Sequence, residues 1–551
     1  MNRLIFNYAL IAMLLYSCQN ESSTADLIVI NANIWTADIN NPKASALAVK
    51  KERIVEVGSD ELVLKLKGKN TEVIDAEGKF ITPGFIDTHV HLMTGGNSLL
   101  NVDLRDAGTK AEFIKRIADF ASNLDSGQWI LEGNWDHTLW GGELPRKDWI
   151  DEYTKNNPVV IYRLDGHMVL ANALALRIAG IDENTADIEG GEMLKDKKGF
   201  LTGILKENAM DLMFRKIPPL SDEIKEKALK AAFRYLVSNG VTTVHDVDSL
   251  GVYDIERKLK DNNDLLVRIY EINPLKKWKQ TIEMGNQDEW LKSGGLKGFV
   301  DGSLGTHTAA FNEPYSDKPN DSGYFINSED SIYHWASKAD SANLQVMIHA
   351  IGDRAIHTLL DIYERIIKEN GGKDRRFRIE HAQHIAKEDI RRFAELGVIA
   401  SMQPYHAIDD GRWAEKVIGS QRAKTTYAFK SLMENNALVA FGSDWPVAPP
   451  IPLLGIYAAT TRRTLDGKNP DGWITEEKIT VEQALVAYTR NAAYASFDEN
   501  LKGILGKGKL ADFVILSEDI TAIKPENING TKVMQTYISG KKVFDRSAKI
   551  N

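Results

Sequence analysis

The stretch Pro83-Gly84-Phe85-Ile86-Asp87-Thr88-His89-Val90-His91 ends an apolar run with two histidines that are separated by one residue. The run has the composition of a β-strand, in which successive side chains point to opposite faces. His89 and His91 therefore point to one side, and Thr88 and Val90 to the other. Two neutral imidazoles side by side are suitable ligands for zinc or a similar divalent ion. Two polar residues at an ordinary strand end are the competing interpretation, so the pattern needs support from the rest of the chain.

The length and composition indicate a large soluble protein. A chain of 551 residues is too long for one small core and predicts a large domain with an accessory domain. Hydrophobic residues make up 43% and charged residues 26%, as in ordinary globular proteins. The net charge of -9 provides no basic surface, so we do not expect nucleic acid as a partner.

The N-terminus has the pattern of an export signal. Arg3 precedes an apolar run over 4–16, which is short for a membrane span but suits a signal peptide. The run ends in Leu15-Tyr16-Ser17-Cys18, which resembles a bacterial lipobox. We therefore expect residues 1–17 to be a lipoprotein signal peptide. The mature protein would then be exported to the bacterial periplasm or cell envelope and would meet the membrane only through a lipid on Cys18.

The alternative for the N-terminus is an ordinary cleaved secretion signal with an incidental cysteine. Fatty-acid labelling of the protein in its native host distinguishes the two. Because Cys18 is the only cysteine of the chain, the mature protein has no internal disulfide to form under either interpretation.

Both ends of the remaining chain are rich in short β-patterns with Asn, Asp and Gly turns. Residues 18–25 form a polar tether. The segments 26–80 and 497–551 both have this pattern of short strands and turns, and we expect them to form one discontinuous β-sandwich domain. Residues 81–496 instead alternate strands with helical patterns, which is typical of a parallel sheet.

The middle segment contains enough strands to close a barrel. The eight candidates are 85–91, 241–247, 265–272, 296–301, 344–350, 376–382, 397–403 and 437–444. The sequence thus predicts an α/β fold, a TIM (β/α)8 barrel. The connection between strands 1 and 2 greatly exceeds an ordinary loop, so an inserted subdomain is expected at about 95–235.

Metal-competent side chains recur at the carboxyl ends of these strands, where barrel enzymes place their reactive groups. Strands 5, 6 and 8 each end in such a residue, as strand 1 does. The set is His89, His91, His349, His381 and Asp444. Five such residues in equivalent positions predict one metal centre at the rim.

Strand 4 contributes Lys297. An ammonium beside metal ligands would be repelled by the metal and costly to bury. A carbamate formed from Lys297 and carbon dioxide would reverse the charge and supply two oxygens that can bridge two metals. An outward-pointing lysine or a pair with Asp301 remains open on the chemistry alone.

Several motifs of this chain resemble those of the amidohydrolase superfamily, most closely its amidohydrolase family 3 branch, which includes N-substituted formamide deformylases. The resemblance runs from about Asp26 to Val543. Its motifs are residues 83–91, Lys297 to Ala309, His349-Ala350-Ile351-Gly352-Asp353-Arg354-Ala355, Arg378 to Gln383 and Gly442-Ser443-Asp444-Trp445-Pro446. One departure is Thr306-His307, where many members carry Ser-Arg.

The resemblance implies a barrel with a flanking β-sandwich and a metal-dependent hydrolase with one or two ions. By matching motifs, the metal ligands are His89, His91, Lys297 as a carbamate, His349, His381 and Asp444. A divalent metal makes hydroxide available at neutral pH. Asp444 is then the expected general base, which later returns the proton to the leaving nitrogen.

Candidate substrate contacts lie on the insertion and near the strand ends. They are Asp136, His137, Arg163 and His167 on the insertion, with Asp301, His307 and Gln403 on the barrel. For the insertion residues, hydrogen bonding within the insertion is an equal alternative.

The leading hypothesis is a hydrolase acting on a non-peptide carbon–nitrogen bond of a small-molecule amide or N-substituted formamide. The alternatives are an ester or lactone hydrolase with the same site, and a non-catalytic binding lipoprotein. The sequence leaves open whether the chain forms a homo-oligomer and which substrate it takes.

Overall fold

The predicted barrel is present as one eight-stranded sheet whose strands follow one another in chain order. A computed structural model describes residues 24–164, 168–186, 188, 191–247, 251–284 and 288–548, without the side chains of Thr138 and Glu207. The signal peptide, Cys18 and most of the tether lie outside the described residues. Barrel strands 1 to 8 are Phe85–Val90, Val241–Val247, Arg268–Pro274, Leu291–Phe299, Gln345–Ala350, Arg378–His381, Ile399–Met402 and Val439–Phe441.

All neighbouring pairs from strand 1 to strand 8 are parallel. Parallel strands in such a fold are covered on both faces, and every residue of Phe85–Val90 and Val241–Val247 is buried. The helices on the outside are Asp222–Ser238, Tyr253–Asp261, Trp278–Glu283, Glu329–Ser341, Asp353–Asn370, Ile390–Leu396, Pro404–Asp410, Ala414–Ile418, Ser420–Ala423, Phe429–Glu434, Pro452–Thr461, Val481–Ala487 and Arg490–Tyr494.

The helix Asp222–Ser238 illustrates how the sequence builds this outer layer. Its N-cap is Ser221, whose hydroxyl accepts a hydrogen bond from the Ile224 backbone N–H. Apolar residues recur along one face and are buried against the sheet: Ala228, Leu229, Ala232, Phe233, Leu236 and Val237. The predicted α/β barrel is therefore confirmed.

The barrel closes at the segment that follows strand 8. The Asp444 backbone N–H donates to the His89 carbonyl at 2.7 Å, and the His91 N–H donates to the Trp445 carbonyl at 2.8 Å. The two segments of the chain approach so closely here that a Cβ on Gly442 would lie 2.6 Å from the backbone nitrogen of His89. Only glycine fits this approach, which places the end of strand 8 directly against the histidines of strand 1.

The insertion between strands 1 and 2 has its own sheets. An antiparallel sheet runs in the order Val160–Tyr162, Met168–Ala171, Leu201–Glu207 and Gly191–Lys195, and Val102–Asp103 pairs with Glu132–Gly133. Its helices are Lys110–Ser122, Ala173–Ala179 and Met210–Phe214, and the helix Leu92–Leu99 connects it to strand 1. Short 3-10 helices lie at His137–Trp140 and Lys147–Trp149 here, and at Leu275–Lys277, Lys387–Asp389, Thr475–Glu477 and Pro525–Gly530 elsewhere.

The two chain ends together form two sheets that share one apolar core, and we refer to this unit as the β-sandwich. One sheet consists of Arg53–Gly58, Ala46–Lys50, Ala25–Ile30 and Lys67–Asp75, next to the short helix Asp60–Leu64. The other runs Lys541–Asp545, Val533–Ile538, Phe513–Leu516, Phe80–Pro83, Asn33–Trp35 and Lys43–Ala44. The antiparallel pairing of Phe80–Pro83 with Phe513–Leu516 joins the N-terminal and C-terminal segments into one unit.

A buried ion pair connects the sandwich to the barrel. Arg268 of strand 3 donates from Nε to Asp512 Oδ2 at 2.8 Å and from Nη2 to Oδ1 at 3.2 Å. Both side chains are at most 4% exposed. The guanidinium also donates to Ser539 Oγ and lies over the Trp290 ring.

Among the described residues, none of the helices combines the length and apolar character that a membrane crossing requires.

We expect Asp512→Ala to lower the free energy of unfolding by about 3 to 5 kcal/mol, because it leaves a buried guanidinium without its carboxylate. Urea unfolding measures the loss. The exposed Asp471 is the matched control, and Asp471→Ala should change stability by less than about 0.5 kcal/mol. Equal stability of the two variants would show that this pair does not couple the domains.

Candidate metal centre

Asp444 lies at the centre of the histidine cluster. Its Oδ1 is 3.3 Å from His91 Nε2 and 3.5 Å from His89 Nε2. The two imidazole rings are 5.6 Å apart, so the alternation predicted for strand 1 does bring them together. Lys297 belongs to the same group, because its Nζ lies 3.1 Å from His89 Nε2.

The remaining two histidines lie beside this group. The His381 ring is 5.2 Å from the His89 ring and 4.5 Å from the His349 ring. The structure thus gathers all six predicted ligands, from strands 1, 4, 5, 6 and 8, into one cluster at the carboxyl end of the barrel.

A buried carboxylate orients His89 from behind. Glu380 Oε2 lies 2.5 Å from His89 Nδ1, and Glu380 Oε1 lies 2.7 Å from Arg378 Nε. Ser401 donates a further hydrogen bond to Glu380 Oε2 at 2.8 Å. A carboxylate that holds one imidazole nitrogen fixes the tautomer and presents the other nitrogen to a metal. Here that other nitrogen is Nε2, which faces Lys297 and Asp444.

The other histidines are oriented in the same way. His381 Nδ1 donates to Gln403 Oε1 at 2.8 Å, and His349 Nε2 donates to the Gly302 carbonyl at 3.0 Å. Each ring therefore keeps one unprotonated nitrogen, whose lone pair can bind a cation. Held imidazoles of this kind are the usual surroundings of protein-bound zinc.

The electrostatics of the cluster fit a divalent cation. Burial and, as the second cause, the charge of the nearby Lys297 lower the pKa of His89 to about 4 and that of His349 to about 3, so both rings are neutral. Burial alone would raise the pKa of Asp444, but the hydrogen bond from His91 and the favourable electrostatic interaction with the neighbouring imidazoles hold the pKa of this carboxyl well below its usual range. Neutral imidazoles and an ionised carboxylate are the protonation states that metal ligation requires.

Lys297 points into the centre. It is 6% exposed, and burial lowers its pKa to about 8. A neutral amine is the form that reacts with carbon dioxide, so this environment is compatible with the predicted carbamate. The alternative pair with Asp301 is not formed, because the Asp301 carboxylate accepts three backbone N–H bonds, from Ala310, Ile351 and Gly352.

Two of the predicted ligands have backbone angles that residues other than glycine rarely adopt. φ is 70° at His381 and 62° at Asp444. Left-handed backbone at a non-glycine residue costs free energy and is concentrated at functional sites. His381 is the last residue of strand 6, and Asp444 lies in the segment that follows strand 8.

The substrate contacts predicted on the insertion form their own cluster. Arg163 Nε donates to His137 Nδ1 at 3.3 Å, and Arg163 Nη2 is 3.7 Å from Asp136 Oδ1. His167 lies outside the described residues. As substrate contacts, these residues stay predictions.

The three barrel residues predicted to contact substrate are already engaged with the protein. His307 Nε2 lies 3.0 Å from Asp317 Oδ1. Asp301 and Gln403 are 0% exposed and support the backbone and His381, respectively, so the structure places both behind the centre rather than at a surface that substrate reaches.

Sequence reasoning missed the roles of Arg378 and Glu380. Both lie in the strand that ends in His381, and their alternation with Ile379 puts them on one face. Charged residues on the inward face of a barrel strand were the available signal. The structure shows that they are fully buried and paired with each other.

The insertion reaches the segment that follows Asp444. Arg105 Nη2 donates to the Pro446 carbonyl at 3.0 Å. A cavity of about 250 Å³ lies here, and its lining includes Trp445, Glu132 and Asn134. The insertion thus borders the rim of the barrel beside the cluster.

Comparison with known proteins agrees with this geometry. The profile of the amidohydrolase family matches residues 72–544. The chain belongs to the amidohydrolase family. A solved structure of an uncharacterized metal-dependent hydrolase from Pyrococcus horikoshii is 28% identical, with a TM-score of 0.76 over 91% of this chain and 99% of that one.

Two curated relatives cover nearly the whole length of this amidohydrolase. The Arabidopsis thaliana protein LONG AFTER FAR-RED 3 is 41% identical over 94% of this chain and 92% of its own length. N-substituted formamide deformylase from Arthrobacter pascens is 26% identical over 95% and 99%, respectively. The resemblance seen in the motifs is thereby confirmed at the level of the family.

We expect Glu380→Gln to weaken zinc binding by about 10- to 100-fold, because His89 loses the carboxylate that orients it. Competition with a chromophoric chelator measures the affinity. The control is Glu388→Gln, an exposed residue of the helix Lys387–Asp389, which should bind zinc as the wild type does. Unchanged affinity of Glu380→Gln would contradict the assigned role.

Proposed function

We propose that the protein is a metal-dependent hydrolase that cleaves a non-peptide carbon–nitrogen bond in a small-molecule amide or N-substituted formamide. The observation that carries the proposal is the convergence of His89 and His91 on Asp444, with Lys297 adjacent. A binding scaffold has no need of a carboxylate held by two imidazoles and a buried lysine in the same cluster.

The ligand chemistry favours zinc or a similar divalent ion, bound by His89, His91, Lys297 as a carbamate, His349, His381 and Asp444. When bound, such an ion acidifies a water molecule and polarises the substrate carbonyl. Nitrogen and carboxylate donors at a closed rim are the set that zinc prefers.

Asp444 provides the proton transfer. Its position is fixed by the bond from its own N–H to the His89 carbonyl and by the two imidazoles that face Oδ1. The ionised carboxylate accepts the proton of the attacking water as the new carbon–oxygen bond forms. It then returns the proton to the leaving nitrogen as the carbon–nitrogen bond breaks, which yields an acid and an amine.

The substrate class is supported by the relative that is named for its reaction, N-substituted formamide deformylase, which matches 95% of this chain. The cavity beside Trp445 and the polar cluster around Arg163 are the surfaces that we propose to contact the nitrogen substituent.

We also propose that the protein is an exported lipoprotein. The support is the apolar run over 4–16 followed by Cys18 in a lipobox-like context. Stable attachment to a membrane needs more than one acyl chain, as bacterial lipoproteins carry.

We expect Asp444→Asn to reduce turnover by at least roughly a hundredfold, because the amide cannot accept the proton. The assay is a hydrolysis screen over N-formyl and N-acyl amines, followed by kinetics on the best substrate. The variant should remain folded and largely metal-loaded, since Asn keeps the size and one oxygen ligand.

Asp471→Asn is the control for this substitution, because Asp471 is exposed and lies outside the cluster. Its turnover should equal that of the wild type. If Asp444→Asn also turned over at the wild-type rate, the assigned base would be wrong, and His137, His167 and His307 would be tested next.

A further inference from the structure

His406 lies at the edge of the metal centre, in a position that the motif resemblance does not include. It belongs to the helix Pro404–Asp410, which begins directly after strand 7. Its backbone N–H donates to the carbonyl of Gln403, the residue that orients His381. The tight turn between Gln403 and His406 brings the His406 ring to the same side of the barrel as the His381 ring.

The ring nitrogen Nε2 of His406 is buried and has no hydrogen-bond partner among the described residues. A buried polar nitrogen without a partner is destabilising, and in a native protein it calls for an explanation such as an ion or a ligand. The histidines of the predicted ligand set on strands 1, 5 and 6 differ from it, because none of their ring nitrogens is a fully buried atom without a partner. His89, His349 and His381 each have a protein partner on one nitrogen.

The surroundings of His406 indicate what the missing partner is. His406, His381 and Asp444 each offer one ligand atom, and the three atoms lie within 4.8 Å of one another. His89, His91 and Asp444 form a second group with the same property. The carboxylate of Asp444 is common to both groups, so the centre contains two adjacent sets of donors.

The spacing suits a shared ion. Donor atoms at about 2.0 to 2.2 Å from one zinc ion are separated by roughly 3 to 4 Å, so closure of this group onto an ion needs shifts of less than about 1 Å. Two nitrogens and one carboxylate oxygen are also a donor set that binds zinc in known enzymes. A direct hydrogen bond from His406 to Asp444 is not formed, although both lie in the same small volume.

We propose that His406 is a direct ligand of a second divalent cation, which it binds together with His381 and Asp444. The proposal deepens the proposed function and rests on it, because it assigns a new residue to the same centre. The first cation position would then be held by His89 and His91, and the carboxylate of Asp444 belongs to both donor groups.

Calorimetric titration of the chelator-stripped protein with zinc tests the assignment. We expect the wild type to bind two ions, and His406→Ala to bind one ion normally and the second at least tenfold more weakly. His334→Ala is the control, since His334 is an exposed histidine on the helix Glu329–Ser341. His406→Asn is the second variant, and thermal unfolding of the stripped proteins shows whether either change alters the fold itself.

Cobalt substitution gives a second readout that does not depend on activity. The visible absorption of bound Co²⁺ should change in His406→Ala for one of the two ions, because one nitrogen ligand is lost. His334→Ala should leave the spectrum unchanged.

The proposal is overturned if His406→Ala binds two ions as tightly as the wild type, or if the wild type itself binds only one. A raised KM with both ions retained would also overturn it and would assign His406 to substrate binding. If the wild type binds no divalent ion at all, the proposed function fails, and that result is distinct from each of the others.

Discussion

The buried ion pair between Arg378 and Glu380 is the interaction on which the centre depends. Glu380 holds Nδ1 of His89, while Arg378 holds Glu380, the Thr88 carbonyl and the Ser401 hydroxyl. Through these bonds strands 1, 6 and 7 are fixed relative to one another inside the barrel. Both side chains are 0% exposed, so removal of either would leave an uncompensated charge in the interior. A hydrophobic pair would pack as well, but it could not orient an imidazole.

The β-sandwich fixes the beginning of strand 1, the strand that leads to His89 and His91. Its strand Phe80–Pro83 leads through Gly84 directly into strand 1, and the Gly84 N–H donates to the Asp512 carbonyl. The Arg268–Asp512 pair fixes the same segment to strand 3. Strand 1 and the two histidines at its end are thus anchored at the beginning by the sandwich and at the end by Asp444, which follows strand 8.

The sequence predicted the strands well because each is a short apolar run between helical patterns. It also predicted which side chains gather at the rim, since His89 and His91 follow simple alternation and the other candidate ligands end recognisable runs. It could not predict the orientation of His381 and Asp444, because alternation fails where φ becomes positive. Nor could it show that Gln403 and Asp301 turn inward to support the centre, or that His406 reaches the ligands from a helix. Those positions depend on packing between distant segments rather than on local pattern.

The most direct test of the account is the metal content of the purified protein, measured by elemental analysis alongside hydrolysis of an N-formyl or N-acyl amine. The donor set around Asp444 predicts at least one equivalent of zinc or another divalent ion per chain. It also predicts that a chelator removes activity and that added metal restores it. Full hydrolytic activity in protein that contains no divalent metal would contradict the account.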